Sequence, residues 1–194
     1  MHQATADADT MIIRTAVELA QHTNVVVIGE DTDLLVLLCF HARSAPCETF
    51  LRSDQGVAGR GELLRIKELR HKLGDEVCDG ILFGHALLGC DTTSGLFGIG
   101  KAHAVDALKQ KKVFRDCAAE FMKPSASKEE IGGAGERALV CVYGGKPHQS
   151  LNDLRYHRFC MRVASSKAEV TPQSLPPTSA AAHYHSLRVY CQVH

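Results

Sequence analysis

The sequence predicts an α/β fold in which a buried strand is sandwiched by helices, and three observations carry that expectation. From Asp9 to Gln21, apolar residues at Ile12, Ile13, Ala16, Val17, Leu19 and Ala20 recur at close to helical spacing, with an acid at the start. Val25-Val26-Val27-Ile28 is wholly apolar and β-branched, the pattern of a strand buried on both faces of a parallel sheet. Helical segments then dominate the remainder of the chain, and helix alternating with buried strand is the signature of an α/β sandwich.

Thr23-Asn24 ends the first helix, and Gly29-Glu30-Asp31-Thr32-Asp33 separates the strand from a second apolar run, Leu34 to Phe40. Glu48 to Ser53 and Glu62 to Ile66, joined through Asp54-Gln55-Gly56, read as a hairpin. Ile66 to Leu73 and Glu76 to Leu88 read as helices split by Gly74-Asp75, and a glycine-rich turn leads to a helix from Ala102 to Gln110. Phe114 to Met122 is helical in pattern, and Leu151 to Val163 carries Arg155, His157, Arg158 and Arg162 on a further helix. Residues 123–135, rich in Ser, Lys, Glu and Gly, read as a loop, and Ala138 to Tyr143 as a short strand or helix. Residues 164–182, rich in Ser, Pro and Ala, read as an extended tail. These segments group as a core over 5–112 with a helix–turn–helix at 89–110, a basic helical extension over 113–163, and a partly disordered tail over 164–194.

With 194 residues, 45% of them apolar and 23% charged, the composition is that of an ordinary globular domain. No run approaches the roughly 18 apolar residues of a membrane helix. The N-terminus has neither the basic start nor the apolar stretch of a secretory signal. Eight cysteines form no CxxC pair and mostly lie in apolar runs, which points to a reduced intracellular compartment, nucleus or cytoplasm. The formal net charge is zero, which by itself argues against a polybasic nucleic-acid binder. The charge is unevenly spread, however: residues 1–40 hold six acids and one base, residues 101–194 eight acids and fourteen bases.

The acids fall into three sets: Asp7 with Asp9, Asp31 with Asp33, and Asp91 in Gly89-Cys90-Asp91-Thr92-Thr93-Ser94. Asp31 and Asp33 directly follow the strand, and open α/β sheets build their sites at the carboxyl ends of strands. Hard divalent cations prefer carboxylate oxygens, and several converging acids can hold two of them against a phosphodiester. The competing reading is local: Asp7 and Asp9 cap a helix and oppose its dipole, Asp31 to Asp33 form a turn, and Asp91 caps a helix.

Gly95 to Lys101 matches the letters of a P-loop as far as its lysine, but Ala102 stands where Mg²⁺ coordination requires Ser or Thr. A nucleotide-binding role is therefore the third choice. The turn reads better as Gly98-Ile99-Gly100-Lys101 offering backbone N–H groups at a helix start to a nucleic-acid phosphate, with Lys109, Lys111 and Lys112 nearby. A tight glycine turn beside a solvated lysine face is the plain alternative.

The order of these motifs resembles the flap-endonuclease/XPG branch of the PIN-like nuclease superfamily over roughly residues 5–112. There an acidic pair opens a helix, a second Asp pair follows the next strand, and an Asp precedes a glycine-rich DNA-binding turn. The resemblance implies a Rossmann-like parallel-sheet sandwich with a helical C-terminal extension. Asp7, Asp9, Asp31, Asp33 and Asp91 are then metal ligands for Mg²⁺ or Mn²⁺, with Asp31, Asp33 and Asp91 catalytic. Gly98, Ile99, Gly100 and Lys101 are then nucleic-acid contacts, to DNA ahead of RNA. His85 to Ser94, Leu151 to Tyr156 and Leu175-Pro176-Pro177-Thr178 further resemble a group of multi-copy, mobile-element-like animal proteins with the same core and a basic extension. Two departures matter: the family usually has Glu in its first acidic pair, and its first strand and early acids precede this segment, so the resemblance implies a sheet incomplete at its N-terminal side. The expectation is a two-metal phosphodiesterase acting on nucleic acid; the alternative is an inactive remnant that binds nucleic acid or serves as a scaffold. His183, His185, Cys191 and His194, and separately Cys39, His41 and Cys47, have only loose zinc-like spacing.

Overall fold

The computed structural model describes residues 8–53, 63–165 and 169–194. Asp7 and the expected hairpin turn Asp54-Gln55-Gly56 lie outside the described residues. The fold is α/β and mostly helical. In chain order the elements are α1 (Ala8–Leu19), β1 (Val25–Ile28), α2 (Thr32–His41), β2 (Thr49–Arg52), β3 (Leu63–Arg65), α3 (Ile66–Leu73), α4 (Asp75–Leu88), α5 (Ala102–Gln110), α6 (Lys112–Phe121), α7 (Lys128–Val142), α8 (Leu151–Ser165) and α9 (Ser179–Val193). The chain divides into two compact units, Met1–Leu82 and Phe83–His194, the division falling within α4.

The first unit is built on a mixed, not parallel, sheet of order β1-β2-β3. Val25 to Ile28 pair parallel with Thr49 to Arg52, and β3 returns antiparallel, pairing Leu51 with Leu64. One face of the sheet is packed. Val27 and Leu51 meet Ile13 and Ala16 of α1, Leu34 and Leu38 of α2 and Ile66 of α3 in one cluster. The other face is open: Val26 is 50% and Ile28 61% exposed, so β1 is not the doubly buried strand that its composition predicts. A four-residue strand pleats its side chains alternately, and the described helices cover the side that Val25 and Val27 reach. The run Leu34 to Phe40 is a helix hydrophobic all round, and such a helix belongs in the interior. Leu34 and Leu38 face the sheet cluster, while Val36 and Cys39 pack with Ile81 in a second one. Arg70 donates to the Cys39 carbonyl and pairs with Asp75 at 3.7 Å.

The second unit is helical among its described residues. Phe83 packs between Phe114 and Phe121, with ring centroids 5.3 and 4.6 Å away, and all three are fully buried. The segment expected as a loop over 123–135 is instead the front half of α7. Ser127 and Glu130 form a reciprocal capping box at its start, which satisfies two backbone donors that the first turn leaves unpaired. The glycines that argued against helix are where α9 approaches. A Cβ on Gly132 would lie 2.3 Å from His183 Nδ1, and one on Gly135 would lie 1.8 Å from Ser186 Oγ. Close approach of two helices outweighs the roughly 1 kcal/mol propensity cost of each glycine. The tail read as extended likewise ends in a packed helix: α9 buries Ala182, His185, Ser186 and Val189, and its start is capped by Thr178, which accepts from Ala181 N–H at 3.2 Å. Glu136 of α7 accepts from the Leu151 N–H at 2.9 Å and from the Ser179 hydroxyl at 2.6 Å, tying the starts of α8 and α9 to one carboxylate.

Candidate functional site

The acid-rich turn after β1 forms the start of α2. Asp31 has extended backbone (φ −78°, ψ 133°) and its Oδ1 accepts from the Asp33 N–H at 2.9 Å, which is the geometry of a helix N-cap. Asp33 sits in the first turn, where a carboxylate also opposes the helix dipole. The pair therefore forms a helix cap and first turn, where the local reading expected a loop turn. The cap does not exhaust the carboxylates, because one oxygen of Asp31 lies outside the cap bond and Asp31 is exposed. Glu30 stands beside them, and its Oε2 accepts from Ser53 Oγ at 2.6 Å, at the carboxyl end of the parallel neighbour β2. The carboxyl ends of the two parallel strands thus carry Glu30, Asp31, Asp33 and Ser53. Glu30 was not singled out among the sequence candidates, although it lies in the same Gly29-Glu30-Asp31 turn.

Asp9 lies in the first turn of α1 and is half-buried. Asp91 belongs to the second unit, exposed in the turn after α4. Among the described residues, no group of three or more His, Cys, Asp or Glu side chains is arranged to hold a metal ion. The carboxylates after β1 thus fit a divalent cation only in part: they have the right oxygens and exposure, and Asp31 already spends one oxygen on the helix cap.

The turn from Gly89 to Lys101 is built by a hydroxyl and two glycines. The Thr93 hydroxyl donates to the Ala86 carbonyl at 2.7 Å and accepts from the Cys90 N–H at 3.0 Å, so this buried threonine caps the end of α4. Gly89 has φ 111°, and a Cβ there would lie 2.5 Å from the Gly95 Cα. Gly98 has φ 72°, in the left-handed region that glycine enters without cost, and nothing lies within 4 Å of its absent Cβ. Gly98, Gly100 and Lys101 are exposed, Ile99 is half-buried, and Phe97 is exposed beside them. No side chain caps the start of α5. The turn follows helix α4, not a strand, which removes the structural context of a P-loop.

The cations expected around this turn have different fates. Lys111 donates to the Cys141 carbonyl at 2.8 Å and Lys112 pairs with Asp116 at 2.9 Å; Lys101, Lys109 and Lys112 all lie at the surface. On α8 the arginines hold the protein itself: Arg155 donates to Pro176 O and Pro172 O, Arg158 to Tyr143 O, and Arg162 to Ser174 Oγ. The loosely spaced histidines also meet backbone. His185 Nε2 lies 2.9 Å from Leu87 O and His194 Nε2 lies 3.0 Å from Phe121 O. Burial, countered by the Leu87 bond and assisted by Arg188, lowers the His185 pKa and keeps the ring neutral. Burial pushes the Cys39 thiol up to about 12, so it behaves as a small hydrophobe and not as a nucleophile. No helix is long and apolar enough to cross a membrane among the described residues. No family model, curated protein or solved structure matches the chain.

Proposed function

We propose that the chain binds the phosphodiester backbone of a nucleic acid through the turn Gly98-Ile99-Gly100-Lys101 and the start of α5. One observation carries the reading: an exposed turn with Gly98 in the left-handed region, its Ile99 N–H taken by the Leu96 carbonyl at 3.2 Å, leads into a helix start where the N-cap Lys101 is exposed and makes no side-chain cap bond. Contacts of this type recognise phosphate and not base sequence. The excess of bases over acids in residues 101–194 and the resemblance to the flap-endonuclease branch support the same reading.

A second reading adds chemistry. Asp31 and Asp33, exposed or half-exposed at the carboxyl end of β1, favour a metal-dependent phosphodiesterase with a PIN-like core, for which the resemblance also names Asp91 as a ligand. A bound Mg²⁺ or Mn²⁺ would neutralise phosphate charge and acidify a water there. Within this chain, Asp31 and Asp33 would hold the ion, and the cap bond from the Asp33 N–H would fix the Asp31 carboxylate.

Fluorescence anisotropy with labelled duplex DNA, single-stranded DNA and RNA tests the first reading, and a cleavage assay with Mg²⁺ or Mn²⁺ tests the second. Binding should weaken linearly in log salt, and Lys101→Glu should reduce the slope by about one phosphate contact. Absence of salt-sensitive binding overturns the first reading. Metal-dependent cleavage lost in Asp31→Ala and Asp91→Ala supports the second; no cleavage, or cleavage equal in wild type and both variants, removes it.

A further inference from the structure

Among the described residues β1 is an edge of the sheet, with β2 on one side and no strand on the other. Its backbone groups divide by alternation. The Val25 N–H donates to the Glu48 carbonyl at 2.9 Å and the Gly29 N–H to the Arg52 carbonyl at 3.1 Å, so residues 25, 27 and 29 turn their groups toward β2. The N–H and C=O groups of Val26 and Ile28 therefore point away from the sheet. The side chains of these same two residues stand exposed on the open face, Val26 in register with Phe50 and Ile28 with Arg52. Proteins commonly blunt such an edge with a charge, a proline or a bulge, and Val25-Val26-Val27-Ile28 carries none of these.

We infer that β1 pairs antiparallel with β1 of a second copy of this chain, about a two-fold axis at Val27. A row of outward N–H and C=O groups is complementary to another extended backbone, which a helix or a nucleic acid does not offer. In this register Val26 faces Ile28 of the second copy and the two exchange both of their N–H···O bonds, so every outward donor and acceptor of both strands is satisfied. The same pairs place β-branched side chains against each other on the open face. Charge selects the direction. Glu30 and Asp31 follow the strand and His22, Thr23 and Asn24 precede it, all of them exposed. Antiparallel pairing lays Glu30 against Asn24 and Asp31 against Thr23, with His22 next in line. An in-register parallel pair would instead lay each carboxylate against its own copy, which is repulsive. Two-fold symmetry closes the assembly as a dimer. The seam is four residues long, shorter than a permanent interface requires, so the association is weak and reversible.

Sedimentation equilibrium of the full chain, with its thiols kept reduced, tests this over about 10 μM to 1 mM, the range of a weak complex. The wild type should show a monomer–dimer equilibrium. Val26→Lys and Ile28→Glu alter exposed side chains, so each should melt close to the wild type when dilute. Each should weaken the dimer about tenfold or more, because symmetry repeats the change at both ends of the seam. An equimolar mixture of the two should recover it, since the antiparallel register sets position 26 against position 28 and a parallel one does not. Ile28→Pro removes an outward donor while leaving the bonds to β2, and should abolish the dimer as well. If that variant does not fold, the charged pair still decides. A chain monomeric at 1 mM, a dimer that the charged variants leave intact, or a mixture no stronger than its separate components overturns the inference.

Discussion

The first unit is open where the sequence is most hydrophobic, and the second is closed most tightly where the sequence is richest in glycine. In β1 every side chain is apolar, yet Val26 and Ile28 face outward because the described helices of that unit pack on the other side of the sheet. In α7 the run Gly132-Gly133-Ala134-Gly135 would be a poor helix in isolation, yet it forms the helix face against which His183 and Ser186 of α9 pack. Residue hydrophobicity measures what burial would gain, whereas burial itself depends on whether another surface of the right shape arrives. Glycine inverts the usual argument: it contributes little apolar area, but it lets two backbones approach more closely than any side chain allows.

Four effects test that contrast, beginning with the largest. Phe83→Ala should destabilise the protein by about 3–5 kcal/mol, since it opens a cavity between two fully buried aromatic rings. Urea denaturation reads it, and a cost below about 1 kcal/mol would mean that the aromatic cluster is not the core of the second unit. Gly135→Ala should cost about 2 kcal/mol or more despite the better helix propensity of alanine, because its Cβ would meet Ser186 Oγ at 1.8 Å and Ser186 Cβ at 2.6 Å. Pairing it with Ser186→Gly should recover part of the loss. A stabilised Gly135→Ala would break the comparison, since propensity would then outweigh packing.

The third effect is a pH dependence that His185 contributes from within the second unit. The His185 pKa is lowered in the folded state by burial, so the unfolded chain binds more protons in the window between that lowered value and the ordinary value near 6.5. Its stabilising contribution is therefore complete above about pH 7 and is lost as pH falls through the ordinary histidine range. Melting temperatures between pH 7.5 and 5 should fall more steeply in wild type than in His185→Gln; equal slopes would mean that the ring is not buried neutral. The smallest effect belongs to the open sheet face. Ile28→Thr should change stability by no more than about 0.5 kcal/mol, whereas Val27→Thr, one residue away on the packed face, should cost about 1–3 kcal/mol by burying a hydroxyl. Equal costs at both positions would show that the outer face is covered too.

Much of the element order was legible in the residues. The strand Val25–Ile28 and the helix Ala102–Gln110 fall where the pattern predicts them, and α1, the β2–β3 pair, α3, α4, α6 and α8 agree within a few residues at their ends. Each has a local cause, whether β-branching, helical spacing or a glycine break. The helix assignment failed at α7 because composition was weighed above the Ser127-x-x-Glu130 capping box, which was visible in the sequence and marks the true start. It failed at α9 because Pro176-Pro177 and the alanines after it read as tail, although Thr178 is a sound N-cap.

At the candidate sites, sequence by itself determined which chemical groups exist and in what order: carboxylates directly after β1, a glycine turn before α5, arginines along α8. What those groups are engaged in was decided only by the tertiary structure. Asp31 binds its own helix start, Lys111 and the arginines of α8 hold carbonyls or a hydroxyl of distant segments, and His185 is held at Leu87. The physical reason is range. Propensity, capping and hydrophobic spacing act over a turn or two of chain, and the residues themselves carry that information. The partner of a long polar side chain is whichever oxygen folding brings within about 3 Å, and that oxygen is often tens of residues away.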